Sequence, residues 1–266
     1  MANDENIQII YKELEAGAAL EKCHKCGCMR EALENLAAVL PGIGTVETDA
    51  LARRVAVWNE QMLPQQYTCL GCAHCYPAVA QNAFAAAFPN VDQAPLACDF
   101  QVHAERWPAV PGEYYVVNPN AHVAVSTLGS IALAAELAEF KPDGLAIAGK
   151  TETENIGIDK IVKNIVANPS IQFLVVAGSD PAGHQSGLTL LALAANGVDA
   201  NGRVIGSPGK RPVLRNVSPA EVDAFRAQVQ VLDLIGCEDA AEIIAKVETL
   251  APQETAPKPK EAEPCG

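Results

Sequence analysis

No stretch of this chain is long enough and apolar enough to cross a bilayer. The longest apolar runs lie around Ile131–Ala135 and Leu188–Ala195, far short of the roughly 20 residues that a transmembrane helix needs. A secretory signal is also missing, because the first residues, Met1–Asn6, are acidic where a signal is basic. We therefore expect a cytoplasmic protein without a membrane anchor.

Positive charge is scarce. The 266 residues include 19 Lys and Arg against 32 Asp and Glu, which gives a formal net charge of −13. Binding to nucleic acid requires cations that displace the phosphate counterions, and an anionic membrane surface attracts basic segments. The charge balance therefore argues against both partners. Hydrophobic residues, at 49%, are sufficient for a buried core.

The common phosphate-binding loops are absent as well. No Walker A loop occurs, and no Gly-x-Gly-x-x-Gly follows a predicted strand. The first part of the chain, residues 1–106, has almost no strand signal and reads as a helical, cysteine-rich domain. Its clearest helical patterns are Met29–Val39, Thr45–Leu63 and Tyr76–Phe88, the last of which stops at Pro89.

From Trp107 onwards, short apolar runs alternate with helical periods. The predicted strands are Val123–Thr127, Gly144–Ala148, Phe173–Ala177 and Leu232–Ile235. The predicted helices are Ile131–Phe140, Ile158–Val166, Leu188–Ala195, Pro219–Val231 and Asp239–Leu250. This alternation predicts an α/β domain over residues 107–250 with a mostly parallel sheet. The composition of residues 251–266, rich in Pro, Glu and Lys, predicts a disordered tail.

Nine cysteines are many for a reduced compartment, where disulfides are rare. Six of them form two runs with close spacing: Cys23, Cys26 and Cys28, and then Cys69, Cys72 and Cys75. Thiolates this close repel one another unless a cation neutralises them, so the runs predict a metal site. We favour a [4Fe–4S] cluster over zinc, because zinc knuckles more often present two cysteines each.

Several alternatives at the cysteines stay open. Four thiolates suffice for one cubane, and the sequence does not say which four, whether there are two clusters, or whether the thiols are coincidental. His24 and His74 lie inside the runs and could substitute as ligands, although a supporting or solvent-facing role is expected. We interpret the isolated thiols as ordinary ones: Cys98, Cys237 and Cys265.

In parallel sheets, ligands bind beyond the carboxyl ends of the strands. The loops at those ends are Leu128–Ser130, Gly149–Gly157 and Gly178–Gly187. The second carries hydroxyl and amide groups before a helix and could meet a polar ligand; a simple capping loop is the alternative. The third places His184 between glycines that let a bulky group approach, and imidazole is a common metal ligand.

Four ordered motifs in this half resemble the A subunit of tetrahydromethanopterin S-methyltransferase, the corrinoid carrier of methanogens. They are Trp107-Pro-x-x-Pro111-Gly-Glu-Tyr114, Val123-Ala-Val-Ser-Thr127-Leu, Thr153-Glu-Asn-Ile-Gly157-Ile and Gly178-x-x-x-x-Gly183-His184-x-x-Gly187. The similarity runs from about Trp107 to Ala251.

The resemblance implies a Rossmann-like domain that binds a cobamide, with His184 coordinating cobalt from below. It implies cobalt that cycles between Co(I), which takes a methyl group from a reduced pterin, and methyl-Co(III), which gives it to a thiol. Asp180 or Glu154 could orient the imidazole. The corrinoid-binding residues that it implies are Thr127, Leu128, Gly129, Ser130, Gly149, Thr153, Glu154, Asn155, Gly157, Ile158, Gly178, Gly183, Gln185, Gly187 and Gly206.

The chain also departs from this family. It lacks the C-terminal transmembrane helix of the membrane-anchored versions, and Ile131 stands where the family can carry a histidine. Ala182 replaces the Asp of the usual Asp-x-His-x-x-Gly corrinoid signature. The cysteine-rich half is an addition, so the identity of the methyl donor, whether a methanopterin or a folate, and of the acceptor is open.

The leading hypothesis is therefore a methyltransferase subunit whose partners are the proteins that supply and accept the methyl group. A cluster on the same chain could supply the electron that restores Co(I), at a high effective concentration, and would itself need an electron donor. Two other classes remain: a zinc- or iron–sulfur-organised interaction protein, and an electron-transfer protein with a non-catalytic α/β half.

Overall fold

The computed structural model describes residues 2–92, 96, 100 and 102–252 of the chain. Five helices form its first part: α1 (Ala2–Ala18), α2 (Glu21–His24), α3 (Gly27–Val39), α4 (Val46–Glu60) and α5 (Tyr76–Ala87). Sequence patterns located α3, α4 and α5 but indicated no helix before Met29. Helix α1 packs chiefly on α5, where Ile10 and Leu14 of α1 are fully buried.

A mixed five-stranded sheet follows. Its strands are β1 (Tyr114–Val116), β2 (Val123–Ser126), β3 (Leu145–Gly149), β4 (Phe173–Gly178) and β5 (Gln230–Ile235), in the order β1-β3-β2-β4-β5. Strands β2 to β5 pair in parallel, as expected, and β1 pairs antiparallel with β3. The short edge strand β1 was not expected.

Helices cover both faces of the sheet. They are α6 (Ile131–Phe140), α7 (Ile156–Val166), α8 (Ser186–Asn196), α9 (Pro219–Gln228) and α10 (Ala240–Thr249). Residues alternate between faces along a strand, so Leu174 and Val176 of β4 pack with α7, α8 and α9, whereas Phe173 and Val175 pack with α6 and α10. Parallel strands buried on both faces explain the continuous apolar runs.

The predicted boundary between α9 and β5 is wrong. The helix expected over Pro219–Val231 ends at Gln228, and Gln230 and Val231 begin β5. Val229 is extended at the end of α9, and Gln230 and Val231 then pair in register with Phe173 and Leu174. Pairing with β4 therefore ends the helix earlier than the sequence pattern predicts. The expected tail lies almost wholly outside the described residues.

The structure agrees with the sequence about apolar length. Within the described ranges, no helix combines the length and the apolar character needed to cross a membrane.

Candidate functional site

The loops after β2, β3 and β4 meet at one edge of the sheet. The backbone N–H of Thr127 donates to the carbonyl of Gly149 (2.8 Å), and that of Thr151 donates to the carbonyl of Leu128 (3.0 Å). Gly129 donates in the same way to Ser179 (3.0 Å). The three loops expected to form a site are therefore hydrogen-bonded to one another.

Gly178 shows why a glycine stands at the end of β4. Its φ is +83°, and a Cβ there would lie 2.4 Å from the carbonyl oxygen of Thr127. A side chain would therefore push the β2 and β4 loops apart. Ser130 joins the same contact, since its hydroxyl donates to Glu238 and accepts from the N–H of Ser179.

His184 and Glu154 form the chemical centre of this edge. The Nδ1 atom of His184 lies 2.5 Å from Oε2 of Glu154, whose side chain is only 2% exposed. The other oxygen, Oε1, accepts the backbone N–H of Arg211 at 2.7 Å. A buried carboxylate held in this way fixes the ring orientation and places the Nδ1 proton between the two groups. Nε2 is then the ring nitrogen that points away from the loop that carries Glu154.

The Nε2 atom of His184 meets the cysteine-rich half of the chain. It lies 2.9 Å from the carbonyl oxygen of Ala73, in the loop between Cys72 and Cys75. Gly71, with a φ of +75°, approaches Gly157 and Thr153 so closely that a Cβ would lie 3.1 Å from both. The cysteine loop therefore lies directly over the strand-end site.

Of the two carboxylates that could orient the imidazole, Glu154 makes the contact. Asp180 instead accepts the backbone N–H groups of Gly187 (2.9 Å) and Leu188 (3.1 Å) at the start of α8. It also accepts a longer bond from Ser186. Asp180 therefore fixes the helix that follows His184 rather than the ring itself.

Most of the other predicted ligand residues lie beside the Glu154–His184 pair. Thr153, Asn155, Gly183 and Gln185 lie in the two loops that carry Glu154 and His184, and Gly157 lies in the first turn of α7. Ile158, the next residue of α7, is fully buried in the core. Gly206 lies between α8 and α9, and a glycine that contacts the centre is Gly209, whose Cβ would lie 2.8 Å from Cγ of Glu154.

The two cysteine runs come together around one cavity, which all six thiols line. Cys26 forms a parallel β-bridge with Tyr67, and the N–H of Gly27 donates to the carbonyl of Tyr67 at 2.8 Å. A Cβ on Gly27 would lie 2.7 Å from the carbonyl of Thr68, so the glycine permits this approach. Within the described residues, no three His, Cys, Asp or Glu side chains converge as a preformed single-ion site.

The protonation of these thiols depends on their burial. Burial raises the pKa of Cys23 to about 11 and that of Cys75 to about 12, and it also raises the pKa of Cys72. A hydrogen bond with Cys28 lowers the pKa of Cys26 to about 7. Several thiolates can therefore form together only if a cation compensates their charge.

Two buried lysines border the cysteine loop. Lys160 of α7 donates to the carbonyl of Cys69 and, at 3.1 Å, to that of Pro111. Burial lowers the pKa of Lys160, and the nearby thiols oppose that shift. Lys150 pairs with Glu113 and Glu152, and these contacts raise its pKa against the effect of burial. Sequence patterns missed both lysines, because each is a single residue with no spacing signal.

The remaining candidate ligands lie elsewhere or have other contacts. His74 lines the thiol cavity and pairs with Glu13 at 2.6 Å, whereas His24 contacts the carbonyl of Ala18. Cys237 follows β5 and contacts the carbonyl of Asp239. Cys98 and Cys265 lie outside the described residues.

Helices on both faces of a mostly parallel sheet, with a buried glutamate paired with a half-buried histidine at the strand ends, define the fold class as α/β. The family model for the A subunit of tetrahydromethanopterin S-methyltransferase matches residues 101–264. The chain therefore belongs to this family, as its motifs predicted.

Named relatives match about half of the chain. The chain is 42% identical over 145 residues to the A subunit of the putative methyltransferase Mtx of Methanosarcina acetivorans. It is 45% identical over 141 residues to the tetrahydromethanopterin S-methyltransferase A subunit of Methanocaldococcus jannaschii, and 42% over 147 residues to the second such A subunit of Methanothermobacter thermautotrophicus. These alignments cover 53% to 54% of this chain and 70%, 57% and 77% of the respective relatives.

Proposed function

We propose that this chain is a corrinoid methyl carrier, in which residues 107–250 form a Rossmann-like domain that binds a cobamide. His184 would hold the cobalt of that group through Nε2. The observation that carries the proposal is the Glu154–His184 pair, because it directs Nε2 outward from a glycine-flanked turn at the strand ends. The family membership supports the same assignment.

The residues around His184 fit such a group once the carbonyl of Ala73 has moved away from Nε2. Glu154 holds the Nδ1 side of the ring, so Nε2 can offer its lone pair to a metal. A Cβ on Gly183 would have no atom within 4 Å, so the turn leaves open space beside the histidine. The Asp missing from the usual signature at Ala182 has a functional equivalent in Glu154, which reaches the ring from the neighbouring loop.

When bound, the cobamide would supply a cobalt that accepts a methyl group from a reduced pterin and passes it to an acceptor. The chain's own residues would set the conditions for that chemistry. Glu154 would hold the Nδ1 proton and increase the basicity of Nε2. Thr127, Leu128 and Gly129 would keep the loops in register through their backbone hydrogen bonds.

The thiol cavity would hold an iron–sulfur cluster, which would supply single electrons for reactivation of the cobalt. Six thiols around one cavity, rather than three at one point, suit a polymetal body better than a lone zinc ion. The ammonium group of Lys160 beside Cys69 would offset part of the cluster's negative charge. Zinc remains the alternative occupant.

The partners in this proposal are the proteins that donate and accept the methyl group, together with an electron donor. The relatives are named as subunits, which supports a role within an assembly. The second candidate is an electron-transfer or interaction protein without cobamide. The contact of Ala73 with Nε2 favours it, because that nitrogen already has a hydrogen-bond partner.

Titration with hydroxocobalamin under anaerobic conditions tests the proposal. We expect one equivalent to bind, with an absorption change typical of imidazole ligation, and nitrogen splitting in the EPR spectrum after reduction to the Co(II) state. His184→Ala should abolish both signals. His122→Ala is the matched control, since His122 contacts the carbonyl of Leu250 away from the site. Binding by His184→Ala with an unaltered spectrum would refute axial ligation.

A further inference from the structure

A second cavity lies between the start of α7 and the segment that joins α8 to α9. Its volume is about 430 Å³, within the range of small-molecule sites. Asn155 and Asp159 form the wall on the side of α7. The segment between α8 and α9 forms the opposite wall, with four cationic residues that line the cavity: Arg203, Lys210, Arg211 and Arg215.

These four side chains are unusual in this chain. All are exposed, and none makes a side-chain hydrogen bond or an ion pair within the part of the chain that the structure describes. The whole chain has a net charge of −13, with only 19 Lys and Arg. Four unpaired cations around one concave surface therefore create a local positive potential. Guanidinium groups bind phosphate oxygens through paired N–H donors, so this wall suits a ligand with several negatively charged phosphates.

The wall on the side of α7 has the opposite requirement. Asp159 is 1% exposed, and its Oδ2 accepts the side-chain amide of Asn216 at 2.8 Å. Its Oδ1 is buried with no hydrogen-bond partner among the described residues. An unpartnered buried carboxylate oxygen is costly. A ligand that donates an N–H group to Oδ1 would remove that cost, so the ligand has a donor as well as its negative charges.

The carboxylate of Glu154 separates this cavity from the imidazole of His184. The backbone N–H of Arg211, in the cationic wall, donates to Oε1 of Glu154 at 2.7 Å, whereas Nδ1 of His184 contacts Oε2. A ligand in the cavity would therefore lie behind Glu154, on the side away from the Nε2 atom of His184. The cavity is for that reason a site with a ligand of its own, not a place for a reactant of the histidine site.

A nucleoside triphosphate combines the two features that the walls require. Its phosphate chain carries several negative charges, and the base of ATP or GTP carries an exocyclic amine that donates N–H groups. We propose that the cavity binds such an aminopurine nucleotide, with the amine on Oδ1 of Asp159 and the phosphates on Arg203, Lys210 and Arg215. This inference goes beyond the proposed function and does not depend on corrinoid binding.

Calorimetric titration of the full chain with ATP, GTP and inorganic tripolyphosphate, in magnesium-free buffer, tests the inference. Arg203→Ala combined with Arg215→Ala should weaken the binding of all three about tenfold, because each loses contacts to its phosphates. Asp159→Asn should weaken nucleotide binding about tenfold and leave tripolyphosphate binding unchanged. The reason is that Asn216 donates to the Oδ2 position, so the new amide keeps its oxygen there and turns its NH₂ group towards the cavity.

Lys12→Ala combined with Arg53→Ala is the matched control, because it removes two exposed cations of the helical half that do not line the cavity. This control should bind all three probes as the wild type does. An equal loss in the control would show that only the net charge matters, and the inference would be wrong.

Three further outcomes would overturn the inference. The wild type binds neither nucleotide; or Asp159→Asn leaves nucleotide binding unchanged, which makes the cavity an anion site without a place for the base. The third is displacement of the nucleotide by hydroxocobalamin but not by cobinamide, which lacks the nucleotide part of the corrinoid. That result would assign the cavity to the corrinoid itself and leave no site for a free nucleotide.

Discussion

The Nε2 nitrogen of His184 lies 2.9 Å from the backbone carbonyl oxygen of Ala73. This nitrogen is the one that the proposed function assigns to cobalt, and a planar macrocycle cannot occupy a gap that a hydrogen bond already fills. Ligation of a corrinoid and the Ala73 contact are therefore mutually exclusive. In the structure, the cysteine loop, Cys69–Cys75, covers the Nε2 atom of His184 through Ala73.

Loosening that loop should strengthen corrinoid binding. Lys160→Met removes the two hydrogen bonds that Nζ makes to the carbonyls of Cys69 and Pro111. Because closure competes with the ligand, we expect hydroxocobalamin to bind about tenfold more tightly, equivalent to about 1.4 kcal/mol. Lys163→Met, on the same helix but paired with Glu221, is the control. Equal affinities for all three proteins in a spectroscopic titration would show that the loop does not compete.

Glu154→Gln should weaken the proposed bond between His184 and cobalt without removing the imidazole. The amide is nearly isosteric, but it withdraws the negative charge that lies 2.5 Å from Nδ1. Loss of such a partner typically costs 10- to about 100-fold in metal-ligand affinity, and we expect that loss for hydroxocobalamin. Glu152→Gln, which pairs with Lys150 instead, should keep wild-type affinity. Identical titration curves for both variants would count against an orienting role for Glu154.

Sequence patterns predicted the elements that consist of a continuous run of apolar residues. The runs at β2 and β4 are buried on both faces, so their continuous apolar character identified them. Strand β1 (Tyr114–Val116) has only three residues, too few to show a period of two. The start of β5 at Gln230 was assigned to α9, because pairing with the sheet, rather than local propensity, ends that helix.

The sequence predicted only those parts of the candidate site that depend on the type of a side chain. His184 was identified by its glycine neighbours, and Glu154 was one of two candidates for its partner. The contact with Ala73 joins residues 111 positions apart through a backbone carbonyl, and no side-chain pattern reports such a contact.

Gly178→Ala should destabilise the strand-end loops. The residue has a φ of +83°, and its Cβ would lie 2.4 Å from the carbonyl of Thr127. Strain of this kind costs about 2 kcal/mol, which should appear as a lower free energy of unfolding in denaturant titrations. Gly183→Ala is the matched control, since its Cβ would have no atom within 4 Å. Similar stabilities for the two variants would contradict the close approach of β2 and β4.

Asp159→Asn should stabilise the protein at neutral pH. Burial raises the pKa of Asp159, although Asn216, Arg215 and Lys163 act against the shift. Because the folded pKa exceeds the unfolded one, the carboxyl favours folding in acid, and that contribution is lost as the pH rises through the folded value. The amide avoids this loss, so we expect a gain of about 1 kcal/mol at pH 7.

The gain from Asp159→Asn should shrink as the pH falls towards the unfolded pKa, because the wild-type carboxyl is then protonated. Urea titrations between about pH 4 and 8, with Asp223→Asn on the surface of α9 as control, would show the trend. A pH-independent effect would rule out the buried charge as its cause.

Substitution of the cavity-lining cysteines should separate the ligands of the proposed cluster from the spare thiols. Each of the six cysteines is replaced by serine in a separate variant. We expect at least four of these six variants to lose iron incorporation after anaerobic reconstitution, and to show a lower melting temperature of the helical half. The reason is that buried thiols with raised pKa values lose their compensating cation. Cys237→Ser should change neither quantity, since Cys237 follows β5 and contacts Asp239. Iron, zinc and cobalt per chain are the measurement. Uptake of iron by all six serine variants at the wild-type level would show that these thiols hold no cluster.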